Sequence, residues 1–444
     1  MGTTEKSVKK EGLKMRVLLL NFSDSGGGAA LAAIRLVTAL NEHGVYARLG
    51  VLEKKSANPY VFTLPKKRHC FAVKAAHKLI SFAKRFFLPI TKHLPHPFEF
   101  RTTNTILHTT NFHSETDIDW INNSDFDIVN LHWISGVICN KDIAKIKKPI
   151  VWTMHDTWPY CGAEHYPNIL ENDTRYIEGY YKNNKPKTTT GKDICREVWK
   201  QKRKYLSSKN ITFISPSSWE AKGLKSSALF KNKTCFNIPN IVPHNVFFKK
   251  DKNILRKLFL IPQDKTILGF GAAYNIDDEK SVKGSFYLLN ALSKLKNPEN
   301  YFIVIFGPAG STFTDKIKIP FFASGYISNP VILSCIYNTL DTFICPSLIE
   351  NLPTTCLESI CCGVPVVAFD VGGTPDIVEH KITGYLATPY NSDELAEGVE
   401  WCVQNQVTLS KNCLKKSMKD FDTDMIVKKY TDVYNDCQVN LPKK

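Results

Sequence analysis

The 444-residue sequence has no hydrophobic run long enough to span a bilayer, and its start has no apolar core of signal-peptide length. Residues 1–14 are polar, which predicts a disordered tail. Together these absences predict a protein that is made and kept on the cytoplasmic side of the membrane.

The sequence also lacks paired CxxC motifs, although it contains 13 cysteines. Four of them, Cys345, Cys356, Cys361 and Cys362, lie in apolar segments, as reduced core cysteines of a cytosolic protein do. Cys161, His165 and Cys195 are conceivable zinc ligands, but their spacing fits no common ligand pattern. We therefore predict that the protein has no metal site.

Acidic residues are fewer than basic ones, 42 against 58, and the net charge is +16. Residues 66–96 contain eight Lys or Arg and no acid, and their apolar residues recur at helical spacing. Two interpretations stay open for this segment: it lies on an anionic membrane surface, or its apolar stripe packs on the first domain. No nucleic-acid recognition motif accompanies the charge, so nucleic acid is not an expected partner.

The length, with 43% apolar residues, predicts two or three domains. The first opens with a buried strand at Arg16–Asn21, then Gly26, Gly27 and Gly28, then a helix over Ala29–Asn41. A strand, a glycine-rich loop and a helix open a Rossmann-like domain, in which the loop lets a ligand approach the helix N-terminus. The loop is not GxGxxG, so it does not predict a dinucleotide site.

Two further strands are predicted at Ile128–His132 and Ile150–Met154. The second ends in His155-Asp156-Thr157-Trp158-Pro159, so His155 falls at the carboxyl end of a strand, where open α/β sheets hold their ligands. The irregular segment 164–205 that follows is long enough to be a lid or an acceptor loop.

The stretch from Phe343 to Gly373 carries the strongest pattern in the second half of the chain. It predicts a strand at Phe343–Cys345, a helix with Pro353 at its first position, and another strand at Val364–Phe369. Glu350 then lies at a strand's carboxyl end and Glu358 on the next helix. The helix N-terminus between them presents free N–H groups suited to a phosphate.

This stretch resembles the donor site of the retaining glycosyltransferases of family 4, whose signature is two glutamates separated by seven residues. The resemblance implies an α/β chain of GT-B fold, with two Rossmann-like domains whose parallel sheets face across a cleft. Residues 15–245 would form the acceptor domain and 246–410 the nucleotide-sugar donor domain. Residues 411–444 would be helices that cross back to the first domain.

The same resemblance implies roles for individual residues. Glu350 would bind the transferred sugar, His155 would lie near its anomeric centre, and Lys283 would hold the diphosphate. The donor-binding residues would be Gly26, Gly27, Gly28, Ile327, Asn351, Leu352, Pro353, Thr354 and Glu358, the last on the ribose hydroxyls. Trp133 and Asp156 would line the acceptor side.

The sequence departs from the family pattern at one phosphate contact. Family members have an arginine just after the first strand of the donor domain, where this chain has Ala272 or a neighbour. Lys280 is the residue that would replace it. Family members need no metal, so no cofactor is expected beyond the donor, and Asp117-x-Asp119 is interpreted as solvated polar sequence.

The predicted function is transfer of a sugar, with retention, from a nucleotide-diphosphate donor to a saccharide acceptor. The expected acceptor is lipid-linked and belongs to polysaccharide or lipopolysaccharide synthesis. An enzyme with such an acceptor would work at the inner face of the cell membrane. Two alternatives stay open: a sugar-nucleotide epimerase of GT-B fold, and a non-catalytic scaffold subunit of a transferase complex.

Overall fold

The computed structural model describes residues 15–67, 107–168, 172–187, 189, 191–271 and 281–439. The predicted tail at 1–14, the greater part of the basic segment (68–96), and both Ala272 and Lys280 lie outside the described residues.

The described residues form strands and helices in alternation. The strands are β1 Arg16–Ser23, β2 Tyr46–Glu53, β3 Val61–Thr63, β4 Ile128–Leu131, β5 Ile150–Thr153, β6 Ile211–Ser215, β7 Cys235–Asn237, β8 Thr266–Gly271, β9 Tyr301–Phe306, β10 Phe321–Ala323, β11 Thr342–Cys345, β12 Val366–Phe369 and β13 Gly384–Ala387. The α-helices are α1 Gly28–Glu42, α2 Ile118–Asn123, α3 Asn140–Ile143, α4 Arg175–Glu178, α5 Ile194–Leu206, α6 Ser218–Ser226, α7 Lys252–Leu258, α8 Ser285–Leu292, α9 Ser311–Thr314, α10 Pro330–Tyr337, α11 Thr354–Cys361, α12 Thr374–Ile377, α13 Ser392–Gln404, α14 Gln406–Asp420 and α15 Thr423–Val439.

The first sheet has the strand order β3-β2-β1-β4-β5-β6-β7, and every pair in it is parallel. Its central strands are apolar and fully buried because hydrophobic clusters cover both faces of the sheet. The strand order reverses between β1 and β4. Residues that follow these two strands therefore lie at the topological switch point, where such sheets bind ligands.

The second sheet is built in the same way, with the order β10-β9-β8-β11-β12-β13 and parallel pairing throughout. Its order reverses between β8 and β11, so the loops that carry Lys283 and Glu350 meet at its switch point. Two Rossmann-like domains with parallel sheets were predicted from the sequence, and the structure confirms them.

The last helix, α15, packs on the first sheet rather than on the second. Its apolar residues Ile426 and Val427 join the core of the first domain, and Asn130 Nδ2 of β4 donates to the Tyr434 hydroxyl over 2.8 Å. Strand β1 and helix α15 therefore belong to the same domain, and the chain joins the two domains at a second point before α15.

Two predicted elements differ from the observed ones. Pro353 is the N-cap of α11, one residue before the helix, with an extended ψ of 113°. The sequence from Phe322 to Ile327 also predicts a strand, but the observed strand β10 ends at Ala323. It is a short, exposed edge strand, and Gly325, with a φ of 69°, turns the chain away from it.

The segment 164–205 is held by buried charged side chains. Lys202 on α5 donates to the carbonyl oxygens of Trp158, Cys161 (3.1 Å) and Gly162 (2.7 Å). Arg175 on α4 pairs with Asp173 and Asp193. The sequence also predicts a helix around Trp199, which is α5. The contacts of Lys202 fix this helix against the turns that follow β5.

None of the helices in the described part of the chain combines the length and the apolar character that a membrane span requires.

Candidate active site

Lys283 and Glu350 meet at the carboxyl edge of the second sheet. The Lys283 ammonium lies 2.7 Å from Glu350 Oε1, and both side chains are less than one fifth exposed. Lys283 comes from the loop after β8 and Glu350 from the loop after β11. The two residues with the most specific predicted roles therefore form one ion pair that solvent still reaches.

Close backbone packing fixes the positions of these two loops. Gly284 has a φ of 70°, and a Cβ there would lie 1.8 Å from the carbonyl oxygen of Pro346. Gly372 has a φ of 56°, and its Cβ would lie 1.9 Å from the Glu350 carbonyl oxygen. Only glycine fits either position, so the backbone on both sides of the ion pair has little freedom to shift.

Asn351 joins the two domains. Ser217 of the first domain donates to Asn351 Oδ1 over 2.6 Å, and Asn351 Nδ2 donates to Glu220 Oε2 over 2.7 Å. Next to this contact, the Ser218 backbone N–H and hydroxyl donate to the carboxylate of Asp376. Asn351, a predicted donor-binding residue, thus lies buried in a polar contact that sets how the domains meet.

Glu358 lies on α11 and is only 2% exposed. Arg35 of α1, in the other domain, donates to its Oε1 over 2.5 Å, and the Tyr337 hydroxyl donates to its Oε2 over 3.1 Å. Leu352 and Pro353 are buried beside it, whereas Thr354 is half-buried at the start of α11. The predicted ribose contact of Glu358 stays a prediction, and the residue also forms a buried ion pair between the domains.

Removal of Arg35 is expected to destabilise the protein. Arg35→Met would leave the Glu358 carboxylate buried without its cation, which typically costs about 3–5 kcal/mol. Chemical denaturation should show this loss in the free energy of unfolding. The double variant Arg35→Met/Glu358→Gln should recover a substantial part of it, and additive losses would contradict the pairing.

The glycine-rich loop of the first domain follows β1 and leads into α1. Gly26 and Gly27 have φ angles of 81° and 130°, and Gly27 is the N-cap of α1. A Cβ built at Gly26, Gly27 or Gly28 would meet none of the described atoms within 4 Å. The loop backbone is therefore open to approach at the positive end of a 15-residue helix.

His155 and His132 end neighbouring strands of the first sheet and stack on each other. His132 Nδ1 lies 2.9 Å from His155 Nε2, and the ring centroids are 5.1 Å apart. Burial lowers the pKa of His155 to about 4, and burial together with the His155 charge lowers the pKa of His132 well below its usual value. Both imidazoles are therefore neutral at pH 7.

This pair predicts a loss of stability in acid. The unfolded chain protonates His155 near its ordinary pKa of 6.5, but the folded chain does so only near pH 4, so stability falls as pH drops through this window. The pKa difference corresponds to about 1–3 kcal/mol. Urea denaturation of His155→Asn should show a smaller decrease between pH 6.5 and 4 than the wild type. The exposed-site variant His113→Asn should retain the wild-type slope.

Trp133 and Asp156, the predicted acceptor-side residues, contact each other. Trp133 Nε1 donates to Asp156 Oδ2 over 3.2 Å, and His165 Nδ1 lies 2.6 Å from the same oxygen. Burial alone would raise the pKa of Asp156, but the neighbouring His165 and the Trp158 N–H lower it, so Asp156 is ionised at neutral pH. These contacts place Asp156 at the indole edge of Trp133, which is half-buried just after β4.

The remaining residues named in the sequence analysis lie elsewhere in the structure or outside the described residues. Ile327 follows β10 and is half-buried against the core of the second domain. Asp117 caps α2 through the Asp119 N–H, as a solvated polar residue would. Ala272, near which the arginine of the family pattern is expected to be absent, lies outside the described residues.

Sequence reasoning missed Arg35, Tyr337 and Ser217. The sequence contains a signal for Arg35. In the helix GAALAAIRLVTALNE, Arg35 is the one charged residue apart from the final glutamate, and its neighbours are apolar. A weaker signal existed for Ser217, which begins an S-x-x-E capping box with Glu220. Neither pattern indicates the partner in the other domain.

Comparison with known proteins gives one family match. Residues 275–420, about a third of the chain, match the family model of group 1 glycosyl transferases. They include Lys283, Glu350 and Glu358.

Curated relatives are similar over part of their length. The chain is 27% identical over 180 residues to the uncharacterized glycosyltransferase MJ1607 of Methanocaldococcus jannaschii, covering 36% of this chain and 45% of that protein. It is 22% identical over 217 residues to the N-acetyl-alpha-D-glucosaminyl L-malate synthase of Bacillus anthracis, covering 46% and 54%. It is 29% identical over 151 residues to TuaC of Bacillus subtilis, a putative teichuronic acid biosynthesis glycosyltransferase, covering 34% and 36%. The chain thus spans about half or less of the length of these relatives.

Solved structures match nearly the whole chain. Anabaena HepE, in complex with UDP and glucose, superposes with a TM-score of 0.62 at 16% identity, covering 95% of this chain and 99% of that one. WaaG, a glycosyltransferase involved in lipopolysaccharide biosynthesis, has a TM-score of 0.56 at 12% identity, covering 94% and 99%. The predicted GT-B fold is therefore confirmed, and the match to the group 1 glycosyl transferase model lies in the second half of the chain.

Proposed function

We propose that the protein is a retaining glycosyltransferase of family 4 that moves a sugar from a nucleotide-diphosphate donor to an acceptor hydroxyl. The ion pair of Lys283 with Glu350 carries this proposal. It lies at the switch point of the second sheet, inside the segment that matches the group 1 family. A cation and a carboxylate side by side suit a donor that carries a diphosphate next to a sugar hydroxyl.

In the proposed reaction, the acceptor hydroxyl attacks the anomeric carbon on the face from which the diphosphate leaves. The bond between that carbon and the diphosphate oxygen breaks, the new glycosidic bond forms, and a leaving phosphate oxygen takes the acceptor's proton. Lys283 and the N–H groups at the start of α11 stabilise the negative charge that grows on the diphosphate. A double displacement would instead need a carboxylate nucleophile under the anomeric carbon.

The remaining residues take supporting roles in this proposal. Glu350 accepts a hydrogen bond from the transferred sugar, and His155 donates to the sugar from the opposite domain. The open glycine loop at Gly26 lies over the donor phosphates, and Trp133 beside Asp156 offers an aromatic face to a saccharide acceptor.

We place the acceptor in cell-surface polysaccharide or lipopolysaccharide synthesis, on a lipid carrier at the inner face of the membrane. The charge of the segment 66–96 supports this assignment, as do the activities named for TuaC and WaaG.

The proposal is tested by removing the protein from its cells and analysing the lipid-linked saccharides by mass spectrometry. Accumulation of an intermediate one sugar short is expected, and purified protein should extend it with retention at the new anomeric centre, visible by NMR. A scaffold subunit would give no transfer by itself. An epimerase would convert the nucleotide sugar without any acceptor.

A further inference from the structure

Three potential metal ligands converge where the segment 164–205 meets the residues around His108. They are His108, Glu164 and Cys195, whose ligand atoms all lie within 4.8 Å of one another. A tetrahedral zinc ion with bonds of about 2.0–2.3 Å holds its ligand atoms roughly 3.5 Å apart, so small side-chain movements would complete such a site. Nitrogen, sulfur and carboxylate donors together are the ligand set that zinc prefers.

The backbone places two of these ligands on the same side of a short antiparallel ladder. His108 and Glu164 are directly opposite each other, between the hydrogen bonds Thr109 N–H to Ala163 O and His165 N–H to Leu107 O. This is the non-hydrogen-bonded type of pair, in which opposing side chains come closest. The pairing therefore brings the Cβ atoms of His108 and Glu164 close together on one side of the ladder.

The third ligand comes from the start of α5. Cys195 is 6% exposed, and its backbone packs so closely on Gly162 that a Cβ at Gly162 would lie 2.6 Å from the Cys195 carbonyl oxygen. The Asp193 side chain accepts from the Arg196 N–H and caps the helix at this point. Cys195 is thus fixed against the turn that leads into Glu164.

The hydrogen bonds of Glu164 are independent evidence for a bound cation. The side chain is only 3% exposed, and the Tyr180 hydroxyl and the Gly162 N–H both donate to its Oε1. Its Oε2 is buried and has no hydrogen-bond partner within the described part of the chain. A buried carboxylate oxygen without a partner is costly, and a cation is the group that removes the cost.

The charges nearby are compatible with a divalent cation. Arg175 is paired with Asp173 and Asp193, and the Lys202 ammonium donates to backbone carbonyls. The Glu164 carboxylate and a Cys195 thiolate would together balance the two positive charges of zinc. The two other conceivable ligands are engaged elsewhere. The ring nitrogens of His165 contact Asp156 and Thr109, and the Cys161 thiol donates to the Thr157 hydroxyl over 3.3 Å.

We propose that His108, Glu164 and Cys195 bind one zinc ion, which fastens the segment 164–205 to the first domain. Zinc binding replaces the Cys195 thiol proton with a zinc–sulfur bond and releases that proton to solvent. The ion would also hold His165, the next residue after Glu164, against Asp156 at the proposed acceptor side.

The full-length protein, expressed with zinc and passed through gel filtration, should retain about one zinc per chain by mass spectrometry of the metal. Cys195→Ser and His108→Gln should each lower this content at least about tenfold. Cys235→Ser, a half-buried cysteine of the same domain outside the cluster, should keep it.

Cobalt gives a second readout that does not depend on the yield of the variants. Addition of Co²⁺ to metal-stripped protein should produce a thiolate-to-cobalt charge-transfer band, and Cys195→Ser should remove that band while Cys235→Ser retains it. Folded wild-type protein that holds no zinc and gives no thiolate band would overturn the proposal.

Discussion

Glu350→Gln is expected to lower the turnover number for sugar transfer by about 10²–10³-fold or more, with nucleotide affinity largely intact. The amide keeps the size of the side chain but loses the negative charge, so it accepts only a weaker hydrogen bond from the transferred sugar. It also loses the ion pair with Lys283, 2.7 Å away. Since Glu350 is proposed to contact the sugar and not the nucleotide, the affinity for the free nucleoside diphosphate should change only a few-fold.

Exposed Glu397 on α13 offers the matched control, because Glu397→Gln makes the same chemical change away from the cleft. Steady-state kinetics with the native donor and calorimetry with the nucleoside diphosphate separate the two effects. Wild-type turnover in Glu350→Gln would reject the catalytic assignment. Loss of nucleotide binding in a folded variant would reassign Glu350 to the nucleotide.

Lys283→Met is expected to reduce kcat/KM by about 10²–10³-fold, and it should also weaken binding of the nucleoside diphosphate. The ammonium neutralises charge on the diphosphate both in the bound donor and as the bond to the sugar breaks. This double effect distinguishes Lys283 from Glu350, whose replacement should affect turnover alone. Lys283→Arg should recover part of the affinity, because a positive charge is retained.

Lys296→Met is the control for this variant, since the Lys296 side chain is 83% exposed and lies after α8 in the same domain. Its kinetics should match the wild type. If Lys283→Met bound the nucleoside diphosphate as tightly as the wild type, the proposed phosphate contact would be wrong.

The fold was predictable from local patterns. The buried parallel strand Val366–Phe369 is a continuous apolar run, and Ile128–Leu131 is apolar except for Asn130. The turns after these strands contain glycine or polar residues. The proximity of Lys283 and Glu350 was also predictable. The family resemblance assigned a role to both residues, and a parallel sheet brings the loops that carry them to one edge.

Contacts between distant segments were not predictable in the same way. Arg35 and Glu358 are 323 residues apart, and either side chain alone has an ordinary local environment on a helix. Asn351 was assigned to the donor, but its amide bridges Ser217 and Glu220 in the other domain. Such contacts depend on how the two domains meet, which no periodicity in the sequence records.

The segment 164–205 shows the same limit. Its irregular sequence predicted a lid or an acceptor loop, whereas its stabilisation depends on side chains such as Lys202, which lies in a polar, amphipathic helix and is fully buried. A lysine in such a helix is ordinarily predicted to be exposed to solvent. Only the three carbonyl oxygens around its ammonium show why it is buried.

Calorimetric titration of the purified protein with a panel of nucleoside-diphosphate sugars tests the central claim most directly. The account predicts saturable one-to-one binding of at least one member of the panel, weakened in Lys283→Met and unchanged in Lys296→Met. If the folded wild type bound none of them, the proposed donor site would be contradicted, and a non-catalytic scaffold would explain the fold better.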